Sequence, residues 1–293
     1  MTDLPQVPGS GSAALRLPAD PALGYFGPGS ATWKVMADPA AGPGGIAALF
    51  TQALHPRALA GVDQHSDFRT QFWPRLARTA EYVMTVTYGP RDEVDRIAGH
   101  VRAAHEHVRG VDPVTGRTYA ASEPDLLRWV HVTEVHGFLD AVQRAGGGLT
   151  DDEADRFLAE QVRAAELLGA TDVPASRAEV AAYFEAVRPE LRASATSRSG
   201  ALRLLAPPMP TKVALATPAR PAWTALATLG FALQPRWARR MHGLPGLPTT
   251  DLAAGLAIRA LRTTVLALPE TWLRGPVARE ALAKEKALLG TAA

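Results

Sequence analysis

Apolar residues along the chain recur at three- and four-residue spacing, and the strict alternation that marks a half-buried strand is scarce. GGIAALFTQALHPRALAGV (44–62) predicts a helix interrupted or bent at Pro56, where the ring removes a backbone donor. SDFRTQFWPRLARTAEYVMTVTYG (66–89) predicts one helix, or two meeting near Pro74, ending at Gly89. PRDEVDRIAGHVRAAHEHV (90–108) opens on proline and acidic residues, as a helix N-terminus does. RGVDPVTGRTYAAS (109–122) is the one stretch that reads as a turn or short hairpin, with DPVTG at its tip. LLRWVHVTEVHGFLDA (126–141) sits in a helix predicted over 124–145, capped by Ser122 with Asp125. Thr150 with Glu153 and Ser176 with Glu179 form two capping-box patterns, opening helices near 151–169 and 177–188. Beyond Pro207, proline clusters separate helices near 221–241, 251–267 and 270–289. The expected fold is all-α, a single large helical domain over 25–293. Residues 1–24, rich in Pro, Gly and Ser, read as a disordered leader.

Composition narrows the function classes. Lys and Arg number 31 against 29 Asp and Glu, a net charge of +2, with no basic run interleaved with aromatics, so nucleic acid is not an expected partner. No cysteine is present, which removes disulfides, thiol catalysis and iron–sulfur clusters. The N-terminal stretch has no basic start followed by an apolar core, and AWTALATLGFAL (222–233) is too short to span a bilayer. A soluble, cytoplasmic protein is the expectation.

The remaining chemistry rests on eight histidines, carboxylates, arginines and hydroxyls. GSGSA (9–13) lacks the strand–turn–helix setting of a nucleophile elbow, and GPGSATW (27–33) is not a dinucleotide loop. Arg128, His131 and His136 share one predicted helix. The two histidines lie five positions apart, roughly 140° around the axis, and do not chelate one ion from a common face. Taken alone, each is a hydrogen-bonded core or boundary residue. The pattern is also compatible with one neutral imidazole coordinating haem iron from a single side, given an apolar slot for the porphyrin.

The order of segments adds a second line. FGPGSATWKV, QALHPRALAGVDQHSDF, RLARTAEYVMTVTYG, GVDPVTGRTYAASEPDLLRWVHVTEVHGFLDA, LTDDEADRFLAEQVRAAELLG and VPASRAEVAAYFEAVRPEL follow one another over roughly residues 25–240. This train resembles the oxygenase family that joins latex-clearing rubber oxygenases to the fungal oxygenase of mycophenolic acid biosynthesis. The resemblance implies a helical fold with a globin-like core and a b-type haem whose iron is held by one proximal histidine. The family element R-x-x-H-x-x-x-x-H stands here as Arg128, His131 and His136. His131 is thereby implied as the iron ligand, with Arg128 and His136 beside the cofactor.

By the same resemblance, Glu81 is implied as the distal base, and Arg75, Arg78 or Thr79 as a group reaching a propionate or the distal pocket. The chain departs from the rubber oxygenases in carrying no lysine between Lys34 and Lys212, where those enzymes supply a distal lysine. His100, His105 and His107 lie in that region instead. The implied activity is oxygenation of a small apolar, isoprenoid-type substrate by dioxygen. The alternatives are a haem-binding sensor or carrier without turnover and a member that uses no haem. His55 reads as a histidine near a helix bend, His65 as part of a cap region, and His242 as a C-terminal residue meeting the helix dipole.

Overall fold

The computed structural model describes residues 20–269, 279–280 and 283–284. Its helices are α1 (Ala31–Met36), α2 (Ala41–Gln52), α3 (Pro56–His65), α4 (Phe72–Tyr88), α5 (Arg91–Glu106), α6 (Pro124–Arg144) and α7 (Asp151–Glu166). They continue as α8 (Arg177–Val187), α9 (Ala195–Leu205), α10 (Thr211–Ala216), α11 (Ala219–Leu233), α12 (Arg236–Met241) and α13 (Pro248–Leu266). A two-stranded antiparallel hairpin, β1 (Arg109–Val111) with β2 (Thr118–Ala120), is the sheet found among the described residues. The fold is all-α, as the periodicity predicts. Both Asp112 carboxyl oxygens accept hydrogen bonds within the DPVTG tip, from the backbone of Val114 and Thr115, which closes the turn.

Prolines start helices more often than they bend them. Pro56 does not kink a continuous helix but begins α3, with His55 as the N-cap whose Nδ1 accepts from the Ala58 amide at 3.4 Å. The region predicted as 221–241 is likewise two helices, because Pro235 opens α12 after α11 has ended. Thr150 and Glu153 complete the expected capping box. Ser176 caps α8, but Glu179 reaches past it to the Ala175 amide. The predicted Ser122 cap does not form: Glu123 is the N-cap of α6, and Pro124 takes the first helical position. Of the helix expected at 270–289 only residues 279–280 and 283–284 are described, and these are helical. The leader as far as residue 19 lies outside the described residues, while Pro21–Leu23 form a short 3-10 turn.

Helix α6 runs through the centre, with Trp129, Val132, Val135, Leu139 and Val142 in the main core beside Phe157 and Phe184. Its first turn is tied to α3 by Arg57, which binds Glu123 and Asp125 at 2.5 Å each. Helix α7 is held against α1 by a buried carboxylate: Glu160 accepts from the amides of Ala31 at 3.2 Å and Thr32 at 2.7 Å. An anion at a helix N-terminus satisfies donors that have no intrahelical partner. The neighbouring Gln161 amide donates to the Thr32 hydroxyl at 3.1 Å, which fixes α7 in rotation as well as position.

Candidate functional site

That placement of α7 brings Gln161 against the middle of α6, where His131 lies. The His131 imidazole is desolvated and held down to about 4, so it is neutral at physiological pH. Its polar neighbour is the backbone of Gln161, and its Nε2 is buried without a hydrogen-bond partner. A buried ring nitrogen normally finds one. The orphaned lone pair is therefore the feature of the site most in need of a partner.

Glu134 follows one turn later on α6. Burial pushes its carboxyl up to about 7, and no cation is paired with it among the described residues. Tyr82 on α4 approaches it, and burial together with the Glu134 charge raises the phenol. The Tyr82 hydroxyl and Nδ1 of His105 on α5 are also buried without partners. His131, Glu134, Tyr82 and His105 nonetheless each keep some accessible surface. Of these groups, Tyr82 and Glu134 interact electrostatically between α4 and α6, and Glu134 lies one helical turn from His131. No group of three or more His, Cys, Asp or Glu among the described residues is arranged to hold a metal ion. This donor set thus offers a single imidazole, not a chelating cluster.

The other residues singled out from sequence lie elsewhere on α4, α5 and α6. Arg128, one turn before His131, points toward the α7–α8 connection. It donates to the Thr171 carbonyl at 2.9 Å and stacks over the Tyr183 ring at 5.7 Å. His136 turns to the opposite side and meets Phe184 edge-on at 5.0 Å. Arg75 on α4 is half-buried, without an ion pair among the described residues. Burial and the nearby Arg78 charge lower its guanidinium. Thr79 is exposed and returns its hydroxyl to the Arg75 carbonyl at 3.1 Å. Glu81 is exposed on α4, beside Tyr82 in sequence. His100 and His107 are exposed, and of the three histidines in that region His105 is the one turned inward.

Sequence reasoning passed over Glu134 and Tyr82. A usable signal existed for the first: a carboxylate three residues after His131, in a helix whose neighbouring positions are apolar, shares the histidine's side. Tyr82 carried no such signal, because only the tertiary placement of α4 brings it near Glu134.

Hollows elsewhere on the surface, one at Arg144, Asp251 and Arg259 and one at Ser199, Arg203 and Pro208, include none of these residues. No helix among the described residues is long and apolar enough to cross a membrane. No curated protein and no solved structure matches the chain. A family model does match it: that of the ER-bound oxygenase mpaB/B'/rubber oxygenase catalytic domain, over residues 33–267. This span runs from the α1 helix that positions α7, through α4 and α6, to the end of α13. The chain belongs to the mpaB/rubber oxygenase family.

Proposed function

We propose that the protein is a haem b-dependent oxygenase of small apolar molecules, with Nε2 of His131 as the iron ligand. The observation that carries this reading is the neutral, desolvated imidazole whose buried Nε2 has no hydrogen-bond partner among the described residues. Axial ligation requires a neutral ring with one nitrogen free, oriented by a polar neighbour such as the Gln161 backbone. Haem, when bound, supplies the binding and activation of dioxygen. The residues of the chain do the rest. Arg75, unpaired and half-buried, suits a carboxylate of the cofactor. The apolar faces around α6 exclude water and favour an apolar substrate.

Two carboxylates are available to hold a proton near the site. Burial pushes the Glu134 carboxyl up to about 7, the range a general acid or base requires, and its charge is felt by the Tyr82 phenol. Glu81, implied by the family resemblance, sits on the exposed side of α4. A cytoplasmic location is part of this reading.

The visible spectrum of the purified protein tests it. A Soret band with a pyridine-haemochrome signature is expected, lost in His131→Ala and kept in His136→Ala. A colourless protein that takes up no haem on titration sinks the cofactor assignment. Oxygen consumption with terpenoid substrates then separates an enzyme from a carrier. Loss of turnover in Glu134→Gln but not Glu81→Gln assigns the base to α6, and the reverse result assigns it to α4.

A further inference from the structure

Between Leu191 and Thr250 the chain carries eight Arg or Lys residues and not one Asp or Glu. In a protein whose charges otherwise nearly balance, 60 consecutive residues without a carboxylate are a marked asymmetry, although Arg236 and Arg239 at its end pair with Asp251. This segment forms α9 to α12 and ends in the first turn of α13. On its outer side, α9 exposes Ala195, Arg198, Ser199, Leu202 and Ala206, whose spacing places them along one helical stripe. The short α10 that follows exposes Lys212, Val213 and Leu215, and α11 begins with exposed Arg220. Leu202 is 68% and Leu215 83% exposed, values that a monomer's folding does not explain.

Two indoles lie at the foot of this patch. Trp73 of α4 and Trp223 of α11 meet at 4.8 Å, both half-buried. Trp73 Nε1 donates to the Pro208 carbonyl and Trp223 Nε1 to the Leu204 carbonyl, each at 2.8 Å, so both tie down the α9–α10 connection. Protruding leucines beside cations without acidic neighbours in the same segment, over a tryptophan pair, match the composition of a surface that lies in a lipid headgroup layer.

We propose that the α9–α10 face docks on an anionic membrane surface, with Leu202, Val213 and Leu215 entering the acyl boundary and Arg198, Lys212 and Arg220 meeting headgroup phosphates. Such docking would place the protein where apolar molecules are concentrated. The proposal uses none of the residues assigned to haem, and its test needs no turnover, so it stands or falls separately from the cofactor reading.

The experiment is co-sedimentation of the full chain with vesicles of phosphatidylcholine alone and of phosphatidylcholine with phosphatidylglycerol. Binding is expected only to the second kind and is expected to weaken as salt rises. Arg198→Gln and Lys212→Gln should each lower the vesicle affinity about fivefold. Leu202→Glu with Leu215→Glu should abolish binding, and circular dichroism and melting should remain those of the parent because both positions are exposed. Equal binding to both vesicle types, or no binding to either, overturns the proposal. So does binding that survives the double leucine change. A dimer in solution that the leucine changes dissolve, without vesicle binding, would assign the face to a second copy instead.

Discussion

Gly44 of α2 and Gly137 of α6 meet backbone to backbone. A Cβ placed on Gly44 would lie 2.2 Å from the Gly137 carbonyl oxygen, and one on Gly137 would lie 2.4 Å from that of Gly44. Each glycine is thus required by the other, and the pair sets how deeply α2 presses on the helix that carries His131 and His136. Gly137→Ala should destabilise by about 3 kcal/mol or more, because backbone rather than a side-chain tip has to move. Urea unfolding measures the loss. A change within ~0.5 kcal/mol, the range of an indifferent surface substitution, would show that the helices separate freely.

His131 and Glu134 link stability to pH in opposite directions. The folded His131 is held down to about 4 against 6.5, so its contribution is complete above 6.5 and is lost as pH falls toward 4. The folded Glu134 is raised to about 7 against 4.5, so its contribution is complete below 4.5 and is lost as pH rises through 7. Between these limits the two proton-binding differences nearly cancel. Glu134→Gln removes one side of the balance. Relative to the parent, that variant should gain up to about 3 kcal/mol between pH 4.5 and 7 in the haem-free protein, measured by denaturant titration at each pH. A difference that stays flat with pH would place the carboxyl in solvent.

The buried Tyr82 hydroxyl has no partner, so its removal should help the empty fold. Tyr82→Phe is expected to match or exceed the parent in stability by about 1 kcal/mol without cofactor. If the hydroxyl serves the bound state, the advantage shrinks or reverses when haem is added. Thermal melts with and without haem make the comparison. A clear loss of stability in the haem-free variant would show that the hydroxyl has a partner within the folded protein.

Arg57 is a buried cation holding two carboxylates at the start of α6. Both carboxylates are partly exposed, so solvent screening reduces what the pairs contribute. Arg57→Leu should cost about 2 kcal/mol, and it should speed amide exchange in the first turn of α6 before that of its centre. Unchanged protection at residues 126–128 would mean that Pro124 and the core contacts of Leu126 and Leu127 suffice.

Helix content and several boundaries were legible because they depend on local chemistry. The Thr150–Glu153 box, the hairpin tip at Asp112 and the stop at Gly89 each involve residues within a few positions of one another. Pro56 was legible as a break and Pro235, inside the helix expected over 221–241, was not; whether a proline bends a helix or begins one depends on what the flanking turns bury. Helix α9 went unpredicted because its cap pairs Ser194 with Ser197, a box without the acidic residue that usually reveals one. His131 stood out through its segment's likeness to a family, whereas Glu134 looked like an ordinary helical carboxylate.

By itself the sequence determined the all-helical class, the hairpin, the helix caps and the membership that its ordered segments implied, since these follow from spacing and local hydrogen bonding. Only the tertiary structure decided which polar groups lose water. Burial lowers the imidazoles of both His131 and His136. Nothing within α6 says that Nε2 of His131 is the nitrogen closed off without a partner among the described residues, or that Glu134 is the unpaired carboxylate while Asp140 meets Arg144. These environments arise when Glu160 locks α7 onto α1, Gly44 admits α2 against Gly137, and α4 brings Tyr82 near Glu134. Desolvation is a property of what surrounds a group, and for these residues the surroundings come from segments far away in the chain.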